Sequence, residues 1–325
     1  MGDPTSFSFS FEAIGTHWQI DIHDARSPHE RAALFDAITQ RIEAFDRAYS
    51  RFRNDSLVTE MSRTVGMHAL PEDAVPMMDL YARLYRLTDG AFTPLIGSVM
   101  EEAGYDAAYS LTPRELHTPF SWDEAMEYRF PALTMKKPAL LDFGAAGKGY
   151  LIDCIGALLH RHGVQSFIID AGGDILHKDK TPIRIRVGLE HPDNPRQIIG
   201  VVELGEGSIC GSAGNRRAWD RFHHIIDPRT LESPRHILSV WVTAKTAMIA
   251  DALATCLFLV PVQSLSPHFD FEYAILSHDH SLAYSPSLTA EIFTPLPQEV
   301  PAVRPGRNVR GKHENAQQSN SGHHE

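Results

Sequence analysis

The chain reads as an α+β protein. Three observations point there. Two stretches, FSFSFEAIGTHWQIDIH and IRIRVGL, alternate apolar and polar residues as half-buried strands do. Other segments carry apolar residues at helical spacing. The two kinds are interleaved without a regular βαβ period, which favours α+β over a doubly wound parallel sheet.

Each element follows in order. Gly15-Thr16 interrupts the first alternating stretch, predicting two strands or a bulged one. Ser27-Pro28-His29-Glu30 is a capping box with proline at the first helical position. The helix it opens carries Leu34, Ile38, Ile42, Phe45 and Tyr49 on one stripe. A second helix is expected over about Ala74–Leu87, with Gly90 placed as a C-terminal cap. Leu151, Ile155, Leu158 and Leu159 mark a third, which Gly163 ends. SFIID is a short buried strand leading into Ala171–Asp174, and Ile183–Leu189 and His236–Ala244 are further strands. Thr246–Val260 is a mostly apolar helix. Residues 1–300 are expected to form one domain. From 301 to 325 the chain is polar and expected to be disordered.

Composition narrows the function. The 325 residues carry a net charge of −11, with 43% hydrophobic and 22% charged residues. No basic stripe matches a nucleic-acid backbone, so a nucleic-acid partner is not expected. No run has the length of a membrane span. Three cysteines, Cys154, Cys210 and Cys256, form no CxxC pair, which argues against a zinc site or disulfide framework. The N-terminus shows neither a basic n-region nor an apolar h-region. The expectation is a cytoplasmic protein, although a chain trimmed of a leader would read the same.

Several local patterns carry chemistry. LDFGAAGKGY (Leu141–Tyr150) is rich in glycine ahead of a helical pattern. It is not a P-loop: only two residues separate Gly144 from Gly147, and Gly149 follows Lys148 where a hydroxyl is required. Its glycines and the following helix still suit the approach of an anion. Asp251 and Thr255 share one helix face, and two hard oxygen donors there suit Mg²⁺. Spacing alone favours the plainer reading, a loop-capping aspartate beside a threonine bonded to its own helix. HHIIDPRT (His223–Thr230) is a turn, and a histidine in it is a candidate general base that the aspartate would orient. Ala171–Asp174, TDGAF (Thr88–Phe92) and the Cys210–Asp220 loop with its two arginines are ambiguous alone.

Their succession is not ambiguous. Ile14-Gly15-Thr16, then Ser50-Arg51-Phe52 with Asp55-Ser56, then Thr88–Phe92 resemble the M-G-T, S-x-Y-x-x-D-S and T-D-G-A-F motifs of the ApbE family of FAD:protein FMN transferases. Asp142–Tyr150 with Asp153 is similar to its D-L-G-x-x-A-K-G-Y-x-x-D. Gly172-Gly173-Asp174, His224–Thr230 and Ala250–Thr255 match GGD, H-I-I-D-P-x-T and A-D-x-x-A-T. The resemblance spans roughly residues 10–262.

The resemblance implies an α+β fold of mixed or antiparallel sheets flanked by helices, with FAD in a central cleft. It implies cleavage of FAD, transfer of FMN through a phosphoester to a threonine or serine of an acceptor flavoprotein, release of AMP, and a need for Mg²⁺. An FAD pyrophosphatase using the same site, or a protein that stores FAD, are the alternatives. Carried over by position, the metal ligands are Asp251, Thr255 and the carbonyl of Ala145. FAD would meet Ile14, Phe52, Ala91, Phe92, Thr93, Asp142, Lys148, Gly172, Gly173 and Ile226. His224 would be the base and Lys148 would face the pyrophosphate. The chain departs from the pattern at Ser212-Ala213-Gly214, Arg216, Thr93, Leu231, Phe52 and Gly147.

Overall fold

The computed structural model describes residues 6–293. The expected disorder of 301–325 lies outside them. The central element is an eight-stranded sheet: β1 (Ser6–Ala13), β2 (Thr16–His23), β3 (Phe167–Ala171), β4 (Asp174–Lys178), β5 (Gly207–Ala213), β6 (Ile237–Ala244), β7 (Phe271–Ser277) and β8 (Leu282–Tyr284). Its order in space is its order in the chain, and every neighbouring pair is antiparallel. The sheet is therefore a meander whose connections carry the rest of the molecule.

The alternation in THWQIDIH sets the sheet's inner face. Trp18, Ile20 and Ile22 are fully buried, while His17, Gln19 and His23 point to solvent. Ile14 and Gly15 form the tight β1–β2 turn with φ of 44° and 76°, the positive values a two-residue hairpin requires.

Four long helices follow the sequence closely: α1 (Pro28–Tyr49), α2 (Val75–Leu87), α3 (Gly144–Arg161) and α4 (Ala247–Leu259). The capping box at Ser27 is formed in full. At the end of α2 the first left-handed residue is Asp89 (φ 49°). The N–H of Gly90 then closes back on the carbonyl of Tyr85, a Schellman turn. Helices α3 and α4 pack on one face of the sheet, and α1 and α2 pack against α3. On the opposite face a three-stranded sheet (Ile185–His191, Asn194–Leu204, Ala290–Ile292) encloses a second apolar cluster of Leu189, Ile199, Val202, Leu204, Ile209, Ala274 and Leu276. Another small sheet joins Gly66–Ala69, Ala132–Met135 and Met126–Arg129. Among the described residues no helix is long and apolar enough to cross a membrane.

Three expectations are corrected. The glycine-rich stretch from Gly144 to Tyr150 does not precede a helix: the last strand before it ends at Met135, and the stretch itself forms the first two turns of α3. Cys210–Ala213 belongs to β5, so the Cys210–Asp220 segment is loop only beyond its first four residues, apart from the two-residue strand Ala218–Trp219. The strand expected at Ile183–Leu189 lies two residues later.

Candidate active site

A cavity of about 650 Å³ opens where the N-terminal part of α3 and the face of α4 meet the β1–β2 turn, the end of α1 and the segment His224–Ile226. Its size is that of a small-molecule or cofactor site. Ile14, Phe52, Ala91, Phe92, Thr93, Asp142, Ala145, Lys148, His224, Ile226, Asp251 and Thr255 all line it. Gly172 and Gly173 do not; they line a separate hollow on the far side of β5.

The glycines of α3 explain how the site is built. A Cβ on Gly149 would fall 2.2 Å from the carbonyl oxygen of Ala247 and 2.8 Å from the Cβ of Asp251. Glycine is thus required for α3 and α4 to cross at backbone contact, rather than for a ligand to approach. Gly147 faces the ring of Phe45, whose nearest atom would lie 3.2 Å from an added Cβ. At the crossing, Asp153 accepts hydrogen bonds from the first amides of α4, those of Ala247 and Met248, both at 2.9 Å. The Thr246 hydroxyl caps Ile249 N–H. Burial pushes the Asp153 carboxyl up to about 6, against the pull of those two amides.

The same crossing buries Asp251, which is 6% exposed. One carboxylate oxygen accepts the N–H of Gly149 at 2.8 Å. Among the described residues Asp251 has no ion-pair partner. Burial raises its carboxyl above the usual range, with Lys148 and the Gly149 N–H opposing. A buried carboxylate with one amide donor is short of positive charge. With Thr255 one turn on, and Ala145 at the start of α3, it presents the hard oxygen donors that suit Mg²⁺.

Lys148 forms an ion pair with Asp174, the last residue of GGD. Asp174 is 1% exposed and also accepts the N–H of Gly211 at 3.1 Å. His224 is held by its Nδ1, which donates to the carbonyl of Arg216 at 2.9 Å. A carbonyl can only accept, so the neutral ring keeps its lone pair on Nε2. Burial, then Arg217, then His223, hold the imidazole down to about 4. The orienting group is therefore not the aspartate expected from HIIDPRT. Asp227 instead pairs with Arg229 at 2.7 Å, and Arg229 also donates to the carbonyls of Thr88 and Leu259. That arginine ties the ends of α2 and α4 to the turn.

Asp142 also acts through a partner the sequence did not point to. Its carboxylate accepts Arg51 Nε at 2.6 Å and the N–H of Gly144 at 2.6 Å, joining the end of α1 to the start of α3. Arg51 is 5% exposed and lies 4.2 Å from the ring centroid of Phe52. Phe52 stacks on Tyr109 with centroids 5.5 Å apart. These flat groups form one wall of the cavity. Arg51 sits inside the Ser50–Ser56 motif and Asp174 inside GGD, so the motifs contained them, but their partners are 91 and 26 positions away. Arg217, one of the two arginines of the Cys210–Asp220 loop, also lines the cavity, as does Tyr109, which no sequence pattern marked.

Two departures from the family pattern have a local account. The Thr93 hydroxyl caps the turn Pro94–Ile96 by accepting Leu95 N–H, as an aspartate would. Leu231 takes φ of 61° where glycine is common, a conformation that a branched side chain adopts under strain. Away from the cavity, His191, Asp193 and His280 bring ligand-type atoms within 4.8 Å of one another. His191 Nδ1 accepts the N–H of Asp193 at 3.1 Å, so the lone pair of that nitrogen is already engaged.

Fold and site together define an antiparallel α+β protein built around one deep cleft of mixed aromatic, acidic and basic lining. A family model described as the ApbE family matches residues 14–268, and the chain belongs to that family. The FAD:protein FMN transferase of Treponema pallidum is 27% identical over 282 residues, 76% of this chain and 76% of its own length. That of Vibrio cholerae is 25% identical over 265 residues, 76% of this chain and 79% of its own. Among solved structures, the ApbE protein of Thermotoga maritima aligns with a TM-score of 0.75 at 20% identity, covering 87% of this chain and 97% of that one. The flavin transferase ApbE of Vibrio cholerae aligns with a TM-score of 0.71 at 22% identity, covering 87% and 97%. Both share the fold.

Proposed function

We propose that the protein is a Mg²⁺-dependent FAD:protein FMN transferase, which uses FAD as substrate, joins FMN to a threonine or serine hydroxyl of an acceptor flavoprotein, and releases AMP. The observation that carries this reading is the convergence of Lys148, His224, Asp251, Thr255 and Ala145 on one cavity with an aromatic and apolar wall. The curated relatives named above carry the same activity in their names.

In this reading the acceptor oxygen forms a bond to the FMN phosphorus as the anhydride P–O bond breaks, and AMP departs with the electron pair. His224, neutral at pH 7, takes the hydroxyl proton on Nε2. Its bond to the Arg216 carbonyl keeps the proton-accepting nitrogen fixed. Lys148, held in place by its ion pair with Asp174, lies against the negative phosphates and offsets charge moving onto the leaving group. Asp251, Thr255 and Ala145 would hold Mg²⁺, which when bound stabilises the developing charge as a Lewis acid. Asp142, Phe52, Thr93 and Ile226 position the cofactor portion.

The test is to incubate the protein with FAD, Mg²⁺ and a candidate acceptor. AMP release with covalent flavin on the acceptor is expected. AMP without flavinylated acceptor would make the protein an FAD pyrophosphatase, and bound FAD with no AMP would make it a storage protein.

A further inference from the structure

The cavity leaves Gly172 and Gly173 unexplained. They line a hollow of about 210 Å³ between β3–β6 and the overlying strand Ile185–His191. That is below the roughly 300–1,000 Å³ of a small-molecule site and nearer the scale of side chains.

The hollow is coupled to the active-site cavity in two ways. Gly211 and Ser212 line both, so the wall between them is a single strand. A Cβ on Gly211 would meet Trp241 of the hollow at 3.1 Å, so a larger residue there would crowd the space. Arg216 is the second link. Its carbonyl holds His224, while its guanidinium lies in the hollow, paired with Glu190 at 2.9 Å and bonded to the carbonyl of Gly172 at 3.3 Å.

An independent observation marks the interior as a place for a polar group. Ser239 lines the hollow, is 1% exposed, and its hydroxyl has no hydrogen-bond partner among the described residues. A buried hydroxyl left without a partner destabilises the fold unless an incoming group satisfies it. At the rim, the Glu190 and Arg216 side chains are 42% and 53% exposed and able to exchange partners with an incoming chain.

We propose that this hollow is the acceptor subsite: a short segment of the acceptor protein seats a side chain in it, placing the neighbouring hydroxyl at the Gly211–Ser212 wall beside His224. The proposal rests on the transferase reading above, which requires a second, macromolecular substrate next to the FAD cavity. Ser239 and the Glu190–Arg216 pair supply the polar contacts, and Val187 and Trp241 the apolar ones.

The experiment uses a library of short peptides with a central threonine or serine as probe, incubated with FAD, Mg²⁺ and either wild-type protein, Val187→Trp or Glu190→Ala. Flavinylated peptide is read by mass, AMP release by chromatography, and FAD binding by flavin fluorescence. Wild type is expected to modify a subset of peptides. Both variants are expected to lose at least about tenfold in flavinylated peptide while the FAD binding curve and acceptor-independent AMP release stay unchanged. Glu190→Ala, at the exposed rim, keeps the test valid if Val187→Trp does not fold. Wild-type yield from variants that bind FAD would overturn the proposal. So would a wild-type protein that cleaves FAD yet modifies no peptide. Absence of AMP from all three would overturn the transferase reading instead, and the subsite with it.

Discussion

Lys148 in the second turn of α3 is ion-paired with Asp174 at the start of β4, a carboxylate 1% exposed that also accepts the N–H of Gly211. Two motifs far apart in the chain are thus one device. Breaking a buried pair leaves an uncompensated charge, at about 3–5 kcal/mol. Asp174→Ala and Lys148→Ala are each expected to lower stability by a few kcal/mol. The double variant should lose about 1–3 kcal/mol less than the sum. Urea titrations of the four proteins measure this; simple additivity would mean that the pair is not coupled.

The α3–α4 crossing predicts opposite outcomes for two glycines of one helix. Gly149→Ala puts a methyl into the backbone of Ala247, which cannot yield, and is expected to destabilise by about 1–3 kcal/mol and displace Asp251. Gly147→Ala meets the end of the Phe45 ring at 3.2 Å and, at ordinary contact distance, the Cβ of Phe143, with no backbone in the way. It gains up to about 1 kcal/mol of helix propensity and should be neutral or stabilising. Thermal melts of the two variants decide; equal losses would contradict the crossing geometry.

Asp251 is expected to hold metal at the expense of stability. Its carboxyl is raised by burial, so the folded state binds this proton more tightly than the unfolded chain, and its contribution to stability falls as pH rises above the ordinary aspartate value. Asp251→Asn should therefore melt no lower than wild type without metal, yet lose Mg²⁺-dependent turnover and Mg²⁺-induced stabilisation. Retained stabilisation by Mg²⁺ would remove Asp251 from the ligand set.

His224 sets the acid limb. Its folded value of about 4 lies below the ordinary value near 6.5, so the unfolded chain takes up this proton first. Stability from this residue is complete above about pH 6.5 and is lost as pH falls toward 4. In the free enzyme kcat/KM should likewise stay insensitive to this group down to about pH 5. His224→Ala should lower kcat by about 10²–10⁴-fold with little change in FAD affinity. A carbon-detected titration of His224 at its ordinary value would contradict both statements.

The sequence was most legible where structure is local. Ser27 and Glu30 announced α1, and Thr246–Val260 bounded α4 within a residue, because caps and periodicity act within one or two turns. It was least legible where a residue answers to a distant partner. Glycine between Gly144 and Gly149 reads alike for a loop, a ligand approach or a helix crossing; only Ala247, about a hundred positions on, decides. Most of the residues that the motif order singled out line one cavity, whereas Gly172 and Gly173 line the hollow on the other side of β5, because a strand-end glycine pair does not say which side of the sheet it serves. Asp227 was read as orienting His224, whereas a backbone carbonyl, which no side-chain pattern encodes, does so.

The central claim is the transfer of FMN to a protein hydroxyl at this cavity. Intact-mass measurement of an acceptor after incubation with FAD, Mg²⁺ and this protein tests it most directly. The account predicts an acceptor heavier by FMN less one water, with one AMP released for each flavin attached, and no gain with His224→Ala. An acceptor of unchanged mass in the presence of released AMP would contradict it.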